Sequence, residues 1–293
     1  MDKKILSFSN NNLLEKLTID NEDSNKESFI NIINEHGVVV LRNALNKNNL
    51  KNLLNQYKET FEIENNPYIC PQGVNAPPNV TNLWPDFIND KHVIKILNDL
   101  KESIIGKELF NFFNDKYFTC KKAVMSTHRT NPTDKALKFM NWHQDNASMG
   151  WSEDIRALTV WCPLTSTGPD DSPGLRVCAN KFDKNIMDYT GDTHEWDKFL
   201  NNYSNKIILP KTQPGDCIIF NNFTMHGTGF TLSQTNTRYS LDFRLLNTKK
   251  HPPVNNDEKI FVYPFKKPEL YGEYFNLQKN QSFLKKFLKK IFK

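Results

Sequence analysis

The sequence predicts a mainly β protein with helical additions, and three strand-like segments support this prediction. Residues 38–40 and 217–220 are short apolar runs, and the second follows the turn sequence Pro214-Gly215-Asp216. Residues 238–245 alternate between polar and apolar side chains, which predicts a strand whose polar face looks into a cavity. With 293 residues, 38% hydrophobic residues and 21 Phe, the chain can form one large β-barrel domain with helices or two small domains.

The order of composition along the chain predicts one domain between two less structured ends. Residues 1–26 are rich in Asn, Lys and Asp, which predicts a poorly ordered segment. Residues 27–250 are predicted to form the single domain, with helices towards its N-terminal side, including one over 92–113. The Pro- and Asn-rich stretch 66–85 is long enough to be a lid. Residues 251–293 are a C-terminal extension, in which Pro252-Pro253 is predicted to end the strand-rich part.

The triplet His143-Gln144-Asp145 is the most specific chemical signal in the chain. On an extended backbone alternate side chains share a face, so His143 and Asp145 point together and Gln144 points away. His226 would complete a set of two imidazoles and one carboxylate, which leaves one side of a metal ion open. Arg238 follows His226, and its guanidinium can clamp a carboxylate through two parallel hydrogen bonds. These residue types together indicate a non-heme iron enzyme.

The order of these motifs resembles the phytanoyl-CoA dioxygenase-like branch of the Fe(II)/2-oxoglutarate-dependent oxygenases. The resemblance rests on His-x-Asp, then Pro-Gly-Asp and His-Gly-Thr-Gly, then Arg-x-Ser at Arg238 and Ser240. It extends from about Glu35 to Leu246, most of the chain. The resemblance implies a double-stranded β-helix core, also called a jelly-roll or cupin-like core, flanked by α-helices.

The resemblance also implies a role for individual residues. Iron(II) would be bound by His143, Asp145 and His226. The co-substrate 2-oxoglutarate would be held by Arg238, Ser240, Thr228 and Asn131, the first two at its distal carboxylate. The 2-oxo acid would take two of the three remaining positions on the metal, and O2 would take the third. Halogenating relatives replace the carboxylate ligand with a small residue, so the presence of Asp145 favours hydroxylation over halogenation.

Several other residues near these motifs allow a functional or a structural interpretation. Arg129 and Trp151 are candidates for substrate contact, but a solvated arginine and a structural aromatic residue fit the same positions. Arg244 shares the even face of the predicted strand with Arg238 and competes with it for 2-oxoglutarate. Arg238 is preferred because it begins the strand nearer His226. Asp242, between the two arginines, is predicted to pair with one of them.

The implied activity is hydroxylation of a small organic substrate with release of succinate and CO2. A sugar, a lipid-linked precursor or a natural-product precursor is the expected substrate type. Two alternatives stay open: a cupin-type metal enzyme, such as an isomerase, without 2-oxoglutarate, and a non-catalytic jelly-roll sugar-binding module. A binding module has no need of Arg238 and Ser240 beside His226, and this favours the oxygenase.

Charge and cysteine usage restrict the partners and the compartment. The net charge is +5, but the basic excess lies in the tail that begins at Lys279, so the body gives no sign of nucleic-acid binding. The five cysteines form no Cys-x-x-Cys pair, which favours free thiols in a reducing cytoplasm. The sequence shows no signal peptide and no apolar run of about 18 residues, so we expect a cytoplasmic protein.

The C-terminal segment 282–293 has the pattern of a short cationic amphipathic helix. Its apolar residues form one stripe, its lysines occupy the remaining positions, and Ser282 is a candidate N-cap. Such a helix can dock onto the body of the protein or onto a second subunit, which is the favoured placement. It can also lie on an anionic membrane, which would place the protein peripherally at the inner membrane surface with a weak, salt-sensitive hold.

Overall fold

A computed structural model describes most of the central part of the chain. The described residues are 11–22, 28–61, 90–113, 117–120, 124–128, 142–153, 155–186, 199, 201–229, 236, 238–247, 259–262 and 268–270.

Five α-helices lie in the N-terminal part of the described chain, before Tyr117. A sixth is a single turn that begins at Asp145. They are α1 (Asn11–Lys16), α2 (Phe29–His36), α3 (Lys47–Phe61), α4 (Asp90–Glu102), α5 (Gly106–Phe112) and α6 (Asp145–Ser148). Helix α2 ends at Gly37, whose φ of 74° lies in the left-handed region that glycine adopts without a Cβ penalty.

Twelve strands are assigned within the described residues. They are β1 (Thr18–Asp20), β2 (Val38–Arg42), β3 (Tyr117–Cys120), β4 (Val124–His128), β5 (Ala157–Pro163), β6 (Gly174–Cys178), β7 (Ile207–Ile208), β8 (Cys217–Asn221), β9 (His226–Gly229), β10 (Arg238–Asn247), β11 (Lys259–Val262) and β12 (Pro268–Leu270). They form a nine-stranded sheet in the order β1-β2-β8-β5-β10-β3-β11-β12, with β4 also paired to β10, and a three-stranded sheet in the order β7-β6-β9.

The two sheets pack face to face as a jelly roll. In the larger sheet β4, β10, β5 and β8 pair antiparallel, and in the smaller sheet β7, β6 and β9 do the same. Leu175, Val177 and Ile208 of the smaller sheet belong to the same buried cluster as the apolar residues of β5, β8 and β10. The predicted mainly β fold, with a jelly-roll core flanked by α-helices, is therefore confirmed.

A second buried cluster covers the outer face of the smaller sheet. Cys178 and Ile207 lie on that face and pack with Trp142, Phe182, Phe199, Phe223 and Met225. Because Trp142 directly precedes His143, this cluster fixes the backbone on which the metal-site motif begins.

The structure corrects three predictions about the ends of the elements. Residues 11–22 are not poorly ordered: β1 pairs in parallel with β2, and Leu17 and Ile19 are buried, so few but well-placed apolar residues outweigh the polar composition. Pro252-Pro253 does not end the strand-rich part, because β11 pairs with β3 and buries Phe261. The helix predicted over 92–113 is two helices, broken at Ser103.

Two further features of the described residues concern their helices and their cysteines. None of their helices is long and apolar enough to cross a membrane. Cys162, Cys178 and Cys217 are free, buried thiols, as the absence of a Cys-x-x-Cys pattern predicted.

Candidate active site

His143, Asp145 and His226 meet at one point between the two sheets. One potential ligand atom from each residue lies within 4.8 Å of the others, so the three could hold a metal ion. His143 Nε2 lies 3.9 Å from Asp145 Oδ1, and His226 Nε2 lies 3.7 Å from the same oxygen. The side chain of Asp145 is 1% exposed and that of His143 is 31% exposed, so the group opens towards His143.

The backbone brings the two histidines together although they are far apart in the chain. The amide of His143 donates to the carbonyl of His226 (2.9 Å), and the amide of His226 donates back (3.0 Å). Gln144 points away, as predicted, and its side chain binds the backbone at Phe223, Lys184 and Ile186. A residue anchored on one face therefore holds its two neighbours on the other face.

The carboxylate of Asp145 is surrounded by donors. Thr159 on β5 donates its hydroxyl to Oδ2, and Arg244 Nη2 lies 3.2 Å from Oδ1 and 3.3 Å from Oδ2. Burial by itself would raise the pKa of Asp145, but Arg244, the two imidazoles and the Thr159 hydroxyl together hold that pKa well below its usual range. Asp145 is therefore ionised and ready to bind a cation.

His226 is held in the tautomer that a metal ligand needs. Its Nδ1 lies 3.0 Å from the carbonyl oxygen of Thr224, and since a carbonyl only accepts, Nδ1 carries the hydrogen. The lone pair of Nε2 is thus directed towards Asp145. Burial lowers the pKa of His226 to about 3, so the ring is neutral at physiological pH.

The polar face of β10 looks into the space between the sheets, as its alternation predicted. Arg238, Ser240, Asp242 and Arg244 share this face. The paired strand β5 places Pro163 opposite Ser240, Trp161 opposite Asp242 and Thr159 opposite Arg244. Asp242 pairs with Arg244, which confirms that it pairs with one of the two arginines. Arg244 therefore sits at the Asp145 end of the row, and Arg238 at the other end.

Arg238 is fully buried, and its guanidinium contacts backbone carbonyl groups and an aromatic ring. Nη1 lies 3.2 Å from the carbonyl oxygen of Gly174 and 3.4 Å from that of Pro173, and the guanidinium lies over the ring of Trp161 at 5.7 Å. Burial lowers the pKa of Arg238 to about 9, which leaves it protonated at neutral pH. Gly174 pairs with Gly229 of β9, so the guanidinium lies near the strand that carries His226.

Ser240 and Thr228 lie on strands that border the same space. Ser240 is 0% exposed, and its hydroxyl has no hydrogen-bond partner among the described residues. Thr228 is buried on β9, two positions beyond His226 and thus on the same side of that strand. Burial of the Ser240 hydroxyl without a hydrogen-bond partner costs free energy. A bound polar ligand that hydrogen-bonds to it would remove this cost.

Of the three remaining residues predicted for the site, the structure describes one, Trp151. Trp151 is half-buried, and its backbone exchanges hydrogen bonds with Asn146, next to Asp145. Arg129 and Asn131 lie outside the described residues.

Three residues of the site were not singled out from the sequence. Thr159, Trp161 and Phe220 come from apolar strands whose individual residues carry no motif. The ring of Phe220 lies 4.4 Å from that of His226. The period-two alternation of β5 and β8 could have placed these side chains on one face, but only the pairing of the strands shows what that face meets.

Gly227 and Gly229, which follow His226, lie within a strand. Residues 226–229 are strand β9, paired with β6. A Cβ at Gly229 would lie 2.6 Å from Leu209 Cδ1, so the glycine serves close packing within the sheet and not a turn.

A jelly roll that holds two imidazoles and one carboxylate around an open position has the donor set of the non-heme iron oxygenases. The phytanoyl-CoA dioxygenase (PhyH) family matches residues 33–239. The chain therefore belongs to the phytanoyl-CoA dioxygenase family and is an Fe(II)- and 2-oxoglutarate-dependent dioxygenase.

Individual relatives are distant in sequence. Dioxygenase aneA from Aspergillus aculeatus is 21% identical over 221 residues, which cover 72% of this chain and 68% of that protein. The crystal structure of EctD from S. alaskensis with 2-oxoglutarate and 5-hydroxyectoine matches with a TM-score of 0.51 and 13% identity, over 79% of this chain and 80% of that one. The non-heme monooxygenase ThoJ, as its Ni complex, gives a TM-score of 0.49 and 15% identity over 89% and 97%. The likeness to EctD supports the jelly-roll fold.

Proposed function

We propose that this protein hydroxylates a small organic substrate, with Fe(II) bound by His143, Asp145 and His226. The observation that carries the proposal is the convergence of the three ligand atoms within 4.8 Å. The donor set fits the metal: a neutral imidazole with Nε2 free and an ionised carboxylate are ligands that iron(II) accepts. His143, the more exposed histidine, marks the side on which the co-substrate, O2 and substrate enter.

Arg238 and Ser240 are proposed to hold the distal carboxylate of 2-oxoglutarate. Arg238 supplies a buried cation with a planar fork of donors, and Ser240 supplies a buried hydroxyl that lacks a partner among the described residues. Both lie on the inner face of β10, whose far end reaches the metal carboxylate through Arg244. Thr228, on the same side of β9 as His226, is proposed as a further contact, and Asn131 as another.

When bound, iron(II), 2-oxoglutarate and O2 supply an oxidative decarboxylation to succinate and CO2 that is coupled to hydroxylation of a C–H bond. The chain contributes position and the exclusion of water. Arg238 is fixed by Trp161 and by the Gly174 carbonyl, so the co-substrate binds to a group that needs no rearrangement.

The substrate class is proposed from the tail and from the residues beside the metal site. In its less favoured placement on a membrane, the cationic amphipathic segment 282–293 would support a substrate made there, such as a lipid-linked or sugar precursor. A natural-product precursor is the alternative. Trp151 and Arg129 are proposed as substrate contacts, since each stands close to the His-x-Asp triplet in the chain.

The proposal is tested first by spectroscopy without oxygen. Addition of Fe(II) and 2-oxoglutarate to the metal-free protein should produce the weak visible charge-transfer band of a chelated 2-oxo acid. We expect His226→Ala to abolish the band through loss of metal binding. Arg238→Ala should abolish it while metal binding is retained. A band that persists in Arg238→Ala contradicts the carboxylate clamp.

The activity itself is tested by turnover of 2-oxoglutarate against a panel of metabolites. A true substrate should accelerate succinate formation, and mass spectrometry should detect a product heavier by one oxygen atom. A product that keeps the substrate mass, formed with no need of 2-oxoglutarate, would identify a cupin-type isomerase instead.

A further inference from the structure

We propose that Arg244 and Thr159 are positioning residues that make Asp145 bind the metal through one oxygen, Oδ1. The inference rests on the proposed metal site. It concerns the two side chains that contact the carboxylate from the larger sheet.

The two oxygens of Asp145 have different surroundings. Oδ2 accepts a hydrogen bond from the Thr159 hydroxyl and a second one from Arg244 Nη2 at 3.3 Å. Within the part of the chain that the structure describes, Oδ1 accepts only from Arg244 Nη2, at 3.2 Å. A carboxylate oxygen has about two lone-pair sites, so Oδ2 is fully used and Oδ1 keeps one site free.

The free site of Oδ1 is on the side of the imidazoles. Oδ1 lies 3.9 Å from His143 Nε2 and 3.7 Å from His226 Nε2. The donors therefore leave one lone pair unused on the carboxylate oxygen that lies near both Nε2 atoms.

The two donors are held by the sheet and not by loops. Arg244 on β10 and Thr159 on β5 are paired residues in the register of the larger sheet, so they lie side by side. Arg244 is further fixed by Asp242, two positions earlier on the same face. Because central strands are rigid, the carboxylate cannot rotate without breaking three contacts.

The orientation of Asp145 decides how many positions remain on the metal. Two imidazoles and one carboxylate oxygen leave three of six positions, which a chelating 2-oxo acid and O2 require. If both oxygens of Asp145 bound the metal, one of these positions would be lost. Arg244 and Thr159 thus act on the coordination number through the carboxylate that they hold.

The test measures Mn(II) binding to the metal-free protein by electron paramagnetic resonance of the free ion, without 2-oxoglutarate. Thr159→Val removes the hydroxyl at nearly constant volume and should weaken Mn(II) binding by about 10-fold or more. Thr159→Ser keeps the hydroxyl and should bind close to the wild-type affinity. A residue with a merely structural role would not give this rescue pattern in the metal affinity.

Arg244 is tested by two further variants. Arg244→Met combined with Asp242→Asn, which avoids an unpaired buried carboxylate, should weaken Mn(II) binding by about 10- to 100-fold. Arg244→Lys keeps the charge without the fork and should lie between this variant and the wild type.

The outcomes separate this inference from the proposed function. If the wild type binds Mn(II) and His226→Ala does not, the metal site stands. Unchanged affinity in folded Thr159→Val would then overturn the positioning role, whatever happens to the Arg244 variants. If the wild type binds no Mn(II) at this site, the proposed function fails first.

Discussion

The ring of Phe220 lies against the ring of His226, with 4.4 Å between centroids and a tilt of 48°. Phe220 belongs to β8 and is 1% exposed, whereas His226 begins β9 on the opposite sheet. One contact therefore joins the hydrophobic core of the larger sheet to a metal-ligating candidate on the smaller one.

Phe220→Ala should lower both stability and metal affinity. Loss of a fully buried Phe side chain costs about 3–5 kcal/mol of unfolding free energy, and the cavity frees the imidazole to move. Urea unfolding and Mn(II) binding measure the two effects. Phe29→Ala is the matched control, because Phe29 is fully buried on α2, packs against Phe112 of α5 and should affect stability alone. Equal metal affinities in the two variants would contradict the coupling.

Ser240→Ala should separate ligand binding from stability. The Ser240 hydroxyl has no partner among the described residues, so its removal should leave the metal-free protein as stable as before or slightly more stable. Loss of one hydrogen bond to 2-oxoglutarate should weaken its binding by about 0.5–1.5 kcal/mol. Titration of the charge-transfer band measures the affinity, and urea unfolding the stability.

A second serine gives the matched control for this prediction. Ser172 is also fully buried, but its hydroxyl donates to the carbonyl of Ser166 at 2.6 Å. Ser172→Ala should therefore lower stability by about 1 kcal/mol and leave 2-oxoglutarate binding unchanged. A loss of stability in Ser240→Ala as large as in Ser172→Ala would show that Ser240 is already bonded.

The metal-free protein should lose stability as the pH falls below 6.5. The pKa of His226 is lowered from 6.5 to about 3 by burial, so the unfolded chain takes up a proton in this range and the folded chain does not. The contribution of His226 to the free energy of unfolding is therefore fully present above pH 6.5 and declines as the pH falls. The slope assigned to His226 is about 1.4 kcal/mol per pH unit.

The variant His226→Gln isolates this contribution. Urea unfolding of both metal-free proteins between pH 6.5 and 4.5 should show the additional slope in the wild type alone. Parallel stability curves would mean that His226 is protonated in the folded state.

Truncation after Asn280 separates the two placements of the segment 282–293. We expect the docked placement, in which the shortened chain has a lower melting temperature and the full chain does not sediment with vesicles. If the segment lies on a membrane, the full chain should sediment with anionic and not with neutral vesicles, less so at high salt. Sedimentation that survives truncation would exclude the segment as the lipid contact.

The sequence alone predicts that His143 and Asp145 lie together, because their relative placement depends only on the local backbone. Alternation along an extended backbone places His143 and Asp145 together and turns Gln144 away, and the structure shows this. The alternation of β10 was predicted for the same reason. These features depend on one strand at a time.

Which of the two arginines lies beside Asp145 can be seen only from the pairing of the strands. Arg238 and Arg244 are equivalent in the alternation of β10, and a sequence gives no measure of which one lies beside Asp145. The register with β5, which sets Arg244 against Thr159, resolves this. The same reason explains the errors at residues 11–22 and after Pro253, where short strands gain their stability from distant edges that local composition does not reveal.

The parallel pairing of β1 with β2 has a practical consequence for shortened forms of this protein. The family match begins at residue 33, yet β1 covers the hydrogen-bonding edge of β2, which would otherwise end the nine-stranded sheet. A chain trimmed to the matched region would leave the amides and carbonyls of an apolar strand open to another molecule, and self-association would follow. Expression designs should therefore retain the N-terminal helix and strand.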